Sequence, residues 1–247
     1  MGKIITVTSG KGGTGKTTTA AALASCLAAL EHKTLCIDFD AQLRNLDIAL
    51  AMTDFTVMDF SDVASGKYAL SDACSESPMI SNLFFLSAPV HEIPERIDYE
   101  AISEMFDKIR SEFDYCIIDT PAGIGRGFRL ANKNADMSIV VTTGDFSAMR
   151  DASRAADALR ELGVKQLRLI VNRVIPKSFK QIKITVDDII DITGVRLLAI
   201  VPEDSYVFAA LHAGTPLILY KKRNSAYDFL DAARRLTGED IPLKKVK

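Results

Sequence analysis

Residues 10–17 read GKGGTGKT, set between the apolar run Ile4–Thr8 and an alanine-rich stretch from Lys16 to Leu30. This G-x-x-x-x-G-K-[ST] spacing constrains the fold more than any other feature. It asks for a strand that ends in a tight glycine turn and a helix that starts at once. The glycines let consecutive backbone N–H groups turn toward one point, and the helix N-terminus adds positive potential there. Such a loop grips the triphosphate of ATP or GTP. The binding stretch comprises Gly10, Lys11, Gly12, Gly13, Thr14, Gly15, Lys16, Thr17 and Thr18. Lys16 is placed to reach the β and γ phosphates, and the Thr17 hydroxyl to ligate Mg²⁺.

The rest of the chain agrees with that start. Short apolar runs recur at Ile4–Thr8, Thr34–Asp38, Leu83–Leu86, Tyr115–Asp119, Ser138–Thr142, Leu167–Val171 and Leu197–Val201. Most are continuous rather than alternating, the mark of strands buried on both faces in a parallel sheet. Helical patterns lie between them, at 98–113, 149–162 and 225–236, with Gly163 and Gly238 placed to close the last two. Strands alternating with helices predict an α/β fold: a single doubly wound, mostly parallel sheet with helices on both faces. No linker, repeat or low-complexity segment interrupts it. Residues 1–238 are expected to form one P-loop ATPase domain and 239–247 a short tail. The segments 39–82 and 87–97 are the least periodic.

Bulk properties exclude several classes. A net charge of −2 among 247 residues gives no global pull toward nucleic acid or anionic membrane. With no Trp there are few base-stacking platforms for single strands. No run approaches the roughly 18 apolar residues of a membrane span. The four cysteines, Cys26, Cys36, Cys74 and Cys116, form no C-x-x-C pair and read as small hydrophobes in a reducing compartment. A cytoplasmic location is expected, with the inner face of the cell membrane as a peripheral alternative.

Two apolar strands end in carboxylates, Asp38 and Asp40 in IDFD and Asp119 in YCIIDTPAG. A carboxylate fixed at a strand end beside the phosphates suits Mg²⁺, which keeps several waters and takes one or two carboxylates.

The string KGGTGKT, with Lys11 directly after the first glycine, resembles the deviant Walker A motif of the MinD/ParA family. TSGKGGTGKTTTAAALA, DFDAQLRNLDIALA, DTPAGIG, VNR at 171–173 and VPED at 201–204 extend the resemblance over nearly the whole chain. RNLD makes it closest to the MinD branch. The resemblance implies an ATPase switch that dimerises on ATP-Mg²⁺, hydrolyses ATP and controls the position of the division site, with a regulatory protein partner that stimulates hydrolysis. It assigns Lys11 to the partner subunit's phosphates, Asp38 and Asp119 to Mg²⁺, and Asp40 to the attacking water. Asn45 falls near the dimer interface. Asn172, Arg173, Pro202, Glu203 and Asp204 frame the adenine. The alternatives are a ParA-type motor for DNA or cargo, and a MinD-like regulator of another localised structure.

The chain departs from the family in two places. Gly144, Asp145 and Phe146 stand where the branch usually carries Pro-Glu, and the last helix stops near Gly238, leaving EDIPLKKVK. Burying Ile241, Leu243 and Val246 in a membrane yields roughly 5–7 kcal/mol. Ordering nine residues costs on the order of 9–18 kcal/mol. Lys244, Lys245 and Lys247 add about 1 kcal/mol each near an anionic surface. The tail alone is therefore expected to touch membranes weakly and otherwise to fray into solvent. A DNA partner would need a basic surface, for which Arg150, Arg154 and Arg160 on one helix and the run Lys221, Lys222, Arg223 are the candidates. Solvated faces are the simpler reading of both, so nucleic acid is not expected.

Overall fold

The apolar runs fold as strands β1 (Lys3–Thr8), β2 (Thr34–Asp38), β3 (Ser75–Glu76), β4 (Leu83–Leu86), β5 (Tyr115–Asp119), β6 (Met137–Thr142), β7 (Gln166–Val174) and β8 (Leu197–Pro202) of one sheet. A computed structural model describes residues 1–53, 58–91, 93–95, 97–220 and 224–244. Lys221, Lys222, Arg223, Lys245, Val246 and Lys247 lie outside the described residues. The strand order is β3-β4-β2-β5-β1-β6-β7-β8, parallel throughout except where two-residue β3 runs antiparallel to β4.

The helices are α1 (Lys16–Ala29), α2 (Leu46–Leu50), α3 (Phe60–Ala64), α4 (Leu70–Ala73), α5 (Tyr99–Glu112), α6 (Arg126–Asn132), α7 (Phe146–Glu161), α8 (Pro176–Ile182), α9 (Val186–Thr193), α10 (Ser205–His212), α11 (Leu217–Tyr220) and α12 (Ser225–Thr237). Alternation along the strands decides which helix each residue meets. Ile5 and Val7 of β1 pack with Leu23 and Leu27 of α1 and Phe229 of α12. Ile4 points the other way, into a core with Phe106 and Ile109 of α5. On that second face Val140 and Leu169 meet Met149 and Leu159 of α7. Helices on both faces bury the central strands completely, so the polar side chains these strands carry, Thr6 and Ser138 among them, are buried as well.

A buried polar knot divides the second face. Asn132, the last residue of α6, accepts through Oδ1 from Thr6 Oγ1 (2.5 Å) and Ser138 Oγ (2.8 Å) and donates through Nδ2 to the Phe128 carbonyl (2.8 Å). These groups satisfy one another and fix α6 across β1 and β6.

β1 sits where the winding reverses, since the chain moves outward from it toward β4 on one side and β8 on the other. In open α/β sheets the crevice at the carboxyl ends beside such a point is where ligands bind. The loops after β1, β2, β5 and β6 all open there.

The tail does not fray, contrary to expectation. As far as Lys244 it is held by α12. Arg235 donates to the carbonyls of Ile241 (Nε, 2.8 Å), Pro242 (Nη2, 2.8 Å) and Leu198 of β8 (Nη1, 3.0 Å). Lys244 Nζ pairs with Asp228 (2.7 Å) and Asp231 (3.3 Å). Most of these contacts end on backbone carbonyls or reach back 16 residues or more, so side-chain spacing carries no sign of them.

Candidate nucleotide site

The glycine loop leaves β1 at Ser9 and enters α1 at Lys16, with Gly15 as N-cap in the left-handed region at φ 90°. A Cβ at Gly15 would lie 2.2 Å from Asn172 Nδ2, so glycine is required by space as well as by torsion. The Ser9 hydroxyl donates to the Lys11 carbonyl (2.9 Å), and the Asn172 amide donates to the Thr14 carbonyl (2.9 Å). The loop is thus held in place from both sides, and the free N–H groups of such a glycine turn and of the first turn of a helix are the donors an anion would meet.

Three carboxylates crowd the strand ends beneath it. Asp38, Asp40 and Asp119 are each less than 10% exposed, and Lys16 is the buried cation among them. Lys16 Nζ pairs with Asp119 Oδ1 at 2.6 Å, and the Thr17 hydroxyl donates to Asp119 Oδ2 at 2.6 Å. Asp38 accepts from the backbone N–H of Asp40 (2.8 Å) and of Leu46 (3.3 Å), which folds the 39–46 segment back over the strand end. Asp40 Oδ1 accepts from the N–H groups of Gln42 and Leu43, both at 3.3 Å.

One buried cation does not balance three buried carboxylates. Burial, then the charge of Asp119, pushes the Asp38 carboxyl up to about 7 from 3.8. Burial likewise raises Asp119 against the opposing pull of Lys16 and Thr17. A divalent cation would relieve that frustration, and hydroxyl and carboxylate oxygens are the donors Mg²⁺ prefers. Among the described residues no three His, Cys, Asp or Glu groups could hold a metal by themselves. The site therefore fits a Mg²⁺ that takes its remaining ligands from phosphates and water.

Lys11 points away from its own loop. Its Nζ contacts Asp145 Oδ2 (3.1 Å) and Ser147 Oγ (2.5 Å) at the start of α7, where Asp145 is the N-cap. Burial nudges the Asp145 carboxyl up, but the hydrogen bonds from Lys11 and Ser147 prevail and lower it. The neighbouring Gly144, part of the departure from the family pattern, is explained by packing: a Cβ there would meet Phe179 Cε1 of α8 at 2.3 Å.

A cavity of about 400 Å³ opens beside the loop, bounded by Gly13, Gly15, Thr18, Asn172 and the start of α10. Arg173, in the left-handed region at φ 56°, donates to Glu203 Oε2 (2.7 Å) and to the Gly13 carbonyl (3.2 Å), spanning the cavity mouth. Pro202 lines the wall. Asp204 also borders it, but both its oxygens serve helix starts, Oδ1 at Tyr206 N (3.0 Å) and Oδ2 at Ser225 N and Oγ. Sequence pattern foresaw neither that capping nor Arg126. The Arg126 guanidinium, at the start of α6, donates to the carbonyls of Ile93, Pro94, Glu95 and Ile97. Backbone acceptors leave no trace in side-chain spacing.

An AAA-domain family model matches residues 2–169. The septum site-determining protein MinD of Synechocystis is 39% identical over 244 residues, covering 98% of this chain and 92% of that protein. Among solved structures, the MinC:MinD cell division protein complex of Aquifex aeolicus superposes with a TM-score of 0.91 at 35% identity over 99% of both chains. MinD complexed with Mg-ADP from Pyrococcus horikoshii gives 0.83 at 28% identity over 96% of both. Phosphate loop, parallel sheet and full-length similarity agree, and the chain belongs to the MinD/ParA family of P-loop ATPases.

Proposed function

We propose that this chain is a MinD-like switch. It binds ATP with Mg²⁺, closes into a homodimer, hydrolyses the γ-phosphate and reopens, and in doing so helps to place the division site through a regulatory protein. The observation that carries the reading is the Lys16–Asp119–Thr17 constellation at the mouth of a preformed phosphate loop.

On this reading the N–H groups of residues 10–18 and Lys16 hold the triphosphate. Thr17 ligates Mg²⁺, with Asp38 and Asp119 supporting it; when bound, the ion neutralises charge on the β and γ phosphates. Lys16 must leave Asp119 for the phosphates, and the carboxylate it releases becomes available to the ion. Asp40 orients the attacking water. Lys11 swings from Asp145 to the phosphates of the other subunit. Asn172 frames the adenine: one N–H of its amide is held by the Thr14 carbonyl, which fixes the amide beside the phosphate loop and leaves its oxygen and second N–H for the base. Arg173, Glu203 and Pro202 frame the base, and Asp204 holds that frame in place. Residues 1–238 act as the ATPase unit, with 239–247 as its tail.

A regulatory partner is supported by the MinC:MinD complex of the Aquifex relative. The DNA-partition alternative finds little support. On α7, Arg154 and Arg160 are paired with Asp151 (3.7 Å) and Asp157 (2.7 Å), which neutralises much of the basic face. Among the described residues no helix is long and apolar enough to cross a membrane, so a membrane contact would be peripheral and weak through the tail alone. Size-exclusion chromatography with Mg²⁺ and either ATP or ADP tests the switch. A shift to dimer with ATP alone is expected, and one elution volume under both conditions would refute it.

A further inference from the structure

Phe208 is a large apolar side chain in an unexpected place. It lies on α10, three-quarters exposed, at the outer rim of the cavity beside the phosphate loop. A phenyl ring has no hydrogen bond to make with water, and nothing in its own helix requires it to stand there. Its surroundings are informative. Gly13, Gly15 and Thr18 of the phosphate loop line one part of the cavity. Pro202, Val207 and Leu211 line it beside Phe208, together with the Arg173–Glu203 pair. Positions 207, 208 and 211 fall on one helical face, so α10 presents a continuous apolar strip toward the opening. The helix is set rigidly by the Asp204 cap at its start.

A ligand that fits this cavity has an anionic end in the loop and a flat apolar body that meets Phe208. We infer that Phe208 is the stacking platform for the purine base, positioning it against Asn172. The inference rests on the reading of the loop as a nucleotide site, and it adds a residue that the sequence motifs leave out. The ring and the amide then divide the work. An aromatic face attracts any base, because every base has a π-face, so Phe208 supplies affinity without discrimination. Asn172, its amide held by the Thr14 carbonyl, supplies hydrogen bonds to the edge of the base. The ring of His212, one turn further along α10, lies nearly parallel to Phe208 at a centroid separation of 6.2 Å, which backs the orientation of the platform.

The test compares Phe208→Ala and Phe208→Tyr with the unaltered chain, measuring dissociation constants for ATP, GTP and inorganic tripolyphosphate in the presence of Mg²⁺. Since Phe208 is largely exposed, neither variant should change the melting temperature of the ligand-free protein. Phe208→Ala is expected to weaken ATP and GTP by about tenfold each, keep their ratio, and leave tripolyphosphate unchanged; stacking losses of this kind range from about 5- to 150-fold. Phe208→Tyr should retain ATP affinity within about twofold. Equal ATP affinity in Phe208→Ala and the unaltered chain overturns the inference while leaving the nucleotide reading intact. Loss of tripolyphosphate in step with ATP overturns it too, by showing that the ring supports the loop rather than the base. If the unaltered chain binds neither ATP nor tripolyphosphate, the nucleotide reading itself falls, and this inference with it.

Discussion

Lys16 Nζ stands 2.6 Å from Asp119 Oδ1, so the lysine meant for a triphosphate already has a buried carboxylate as partner. The pair keeps both charges tolerable in the absence of ligand, and on the proposed function ATP-Mg²⁺ binding would exchange it for two new pairs, lysine with phosphate and carboxylate with metal.

Lys16→Ala should abolish triphosphate binding and ATPase activity together. It also strands Asp119. Removing one member of a buried pair costs about 3–5 kcal/mol when the other stays charged. The Asp119 carboxyl is already raised by burial and can take up a proton. The variant should therefore lose less stability near pH 5 than near pH 8. Titration with a fluorescent ATP analogue and melts at the two pH values check both parts, and unchanged ATP affinity would sink the loop assignment.

Asp38→Asn isolates the cost of crowded carboxylates. The Asp38 carboxyl titrates at about 7 in the fold against 3.8 ordinarily. A raised carboxyl contributes stability that is complete below its unfolded value and lost as pH rises through its folded one. The unaltered protein should therefore lose stability between about pH 4 and 7 by an amount that Asp38→Asn does not lose, at most about 4 kcal/mol. The asparagine carbonyl can still accept from Asp40 N. Melts of nucleotide-free protein across that range decide the matter, and parallel profiles for the two proteins would contradict the argument. ATPase activity should fall in the variant regardless.

Asp40→Ala should leave ATP binding near normal and slow hydrolysis at least tenfold, so that an ATP-bound dimer accumulates. The hydrogen bonds it loses, from Gln42 and Leu43, are long at 3.3 Å and partly exposed, so the fold should survive. Phosphate release and light scattering read the two effects, and normal turnover would remove Asp40 from the water-positioning role.

Lys11→Ala should spare most ATP binding and abolish stimulated hydrolysis. In the single chain the Lys11 ammonium contacts Asp145 and Ser147 near the surface, contacts worth little. Mixing Lys11→Ala with Lys16→Ala subunits tests whether the lysine acts across the dimer. A trans role leaves the mixed dimer one working site at most; no recovery at any ratio would indicate a role within its own subunit.

The sheet was legible in the sequence because its strands are buried on both faces, and an uninterrupted apolar run records that directly. β2, β4 and β5 match the expected residues at both ends. β7 runs on to Val174, past the expected end at Val171, because the strand continues through an irregularity at Asn172 and Arg173 that reads as a turn. The helices in the unperiodic segment 39–82 are four or five residues long, too short for a periodic face to emerge. α7 starts three residues before the expected Met149, because Asp145 caps it. For the site, the residue types of the phosphate loop and the strand-end aspartates carried the signal. Pairings such as Lys16 with Asp119 or Lys11 with Asp145 link positions more than a hundred residues apart and needed the fold to appear.

The grip of Arg235 on Leu198, Ile241 and Pro242 bears on how this protein behaves in a crowded solution. β8 is the last strand of its sheet, and an open strand edge invites pairing with another molecule and, from there, aggregation. The opposite end is protected by its brevity, since β3 has two residues. β8 has six and needs cover. The guanidinium draws a proline-containing segment against it, and proline offers no N–H to an incoming strand. The residues Ile241 and Pro242, too weak to anchor a membrane, are thus tied to the end of the sheet by the same guanidinium that holds Leu198.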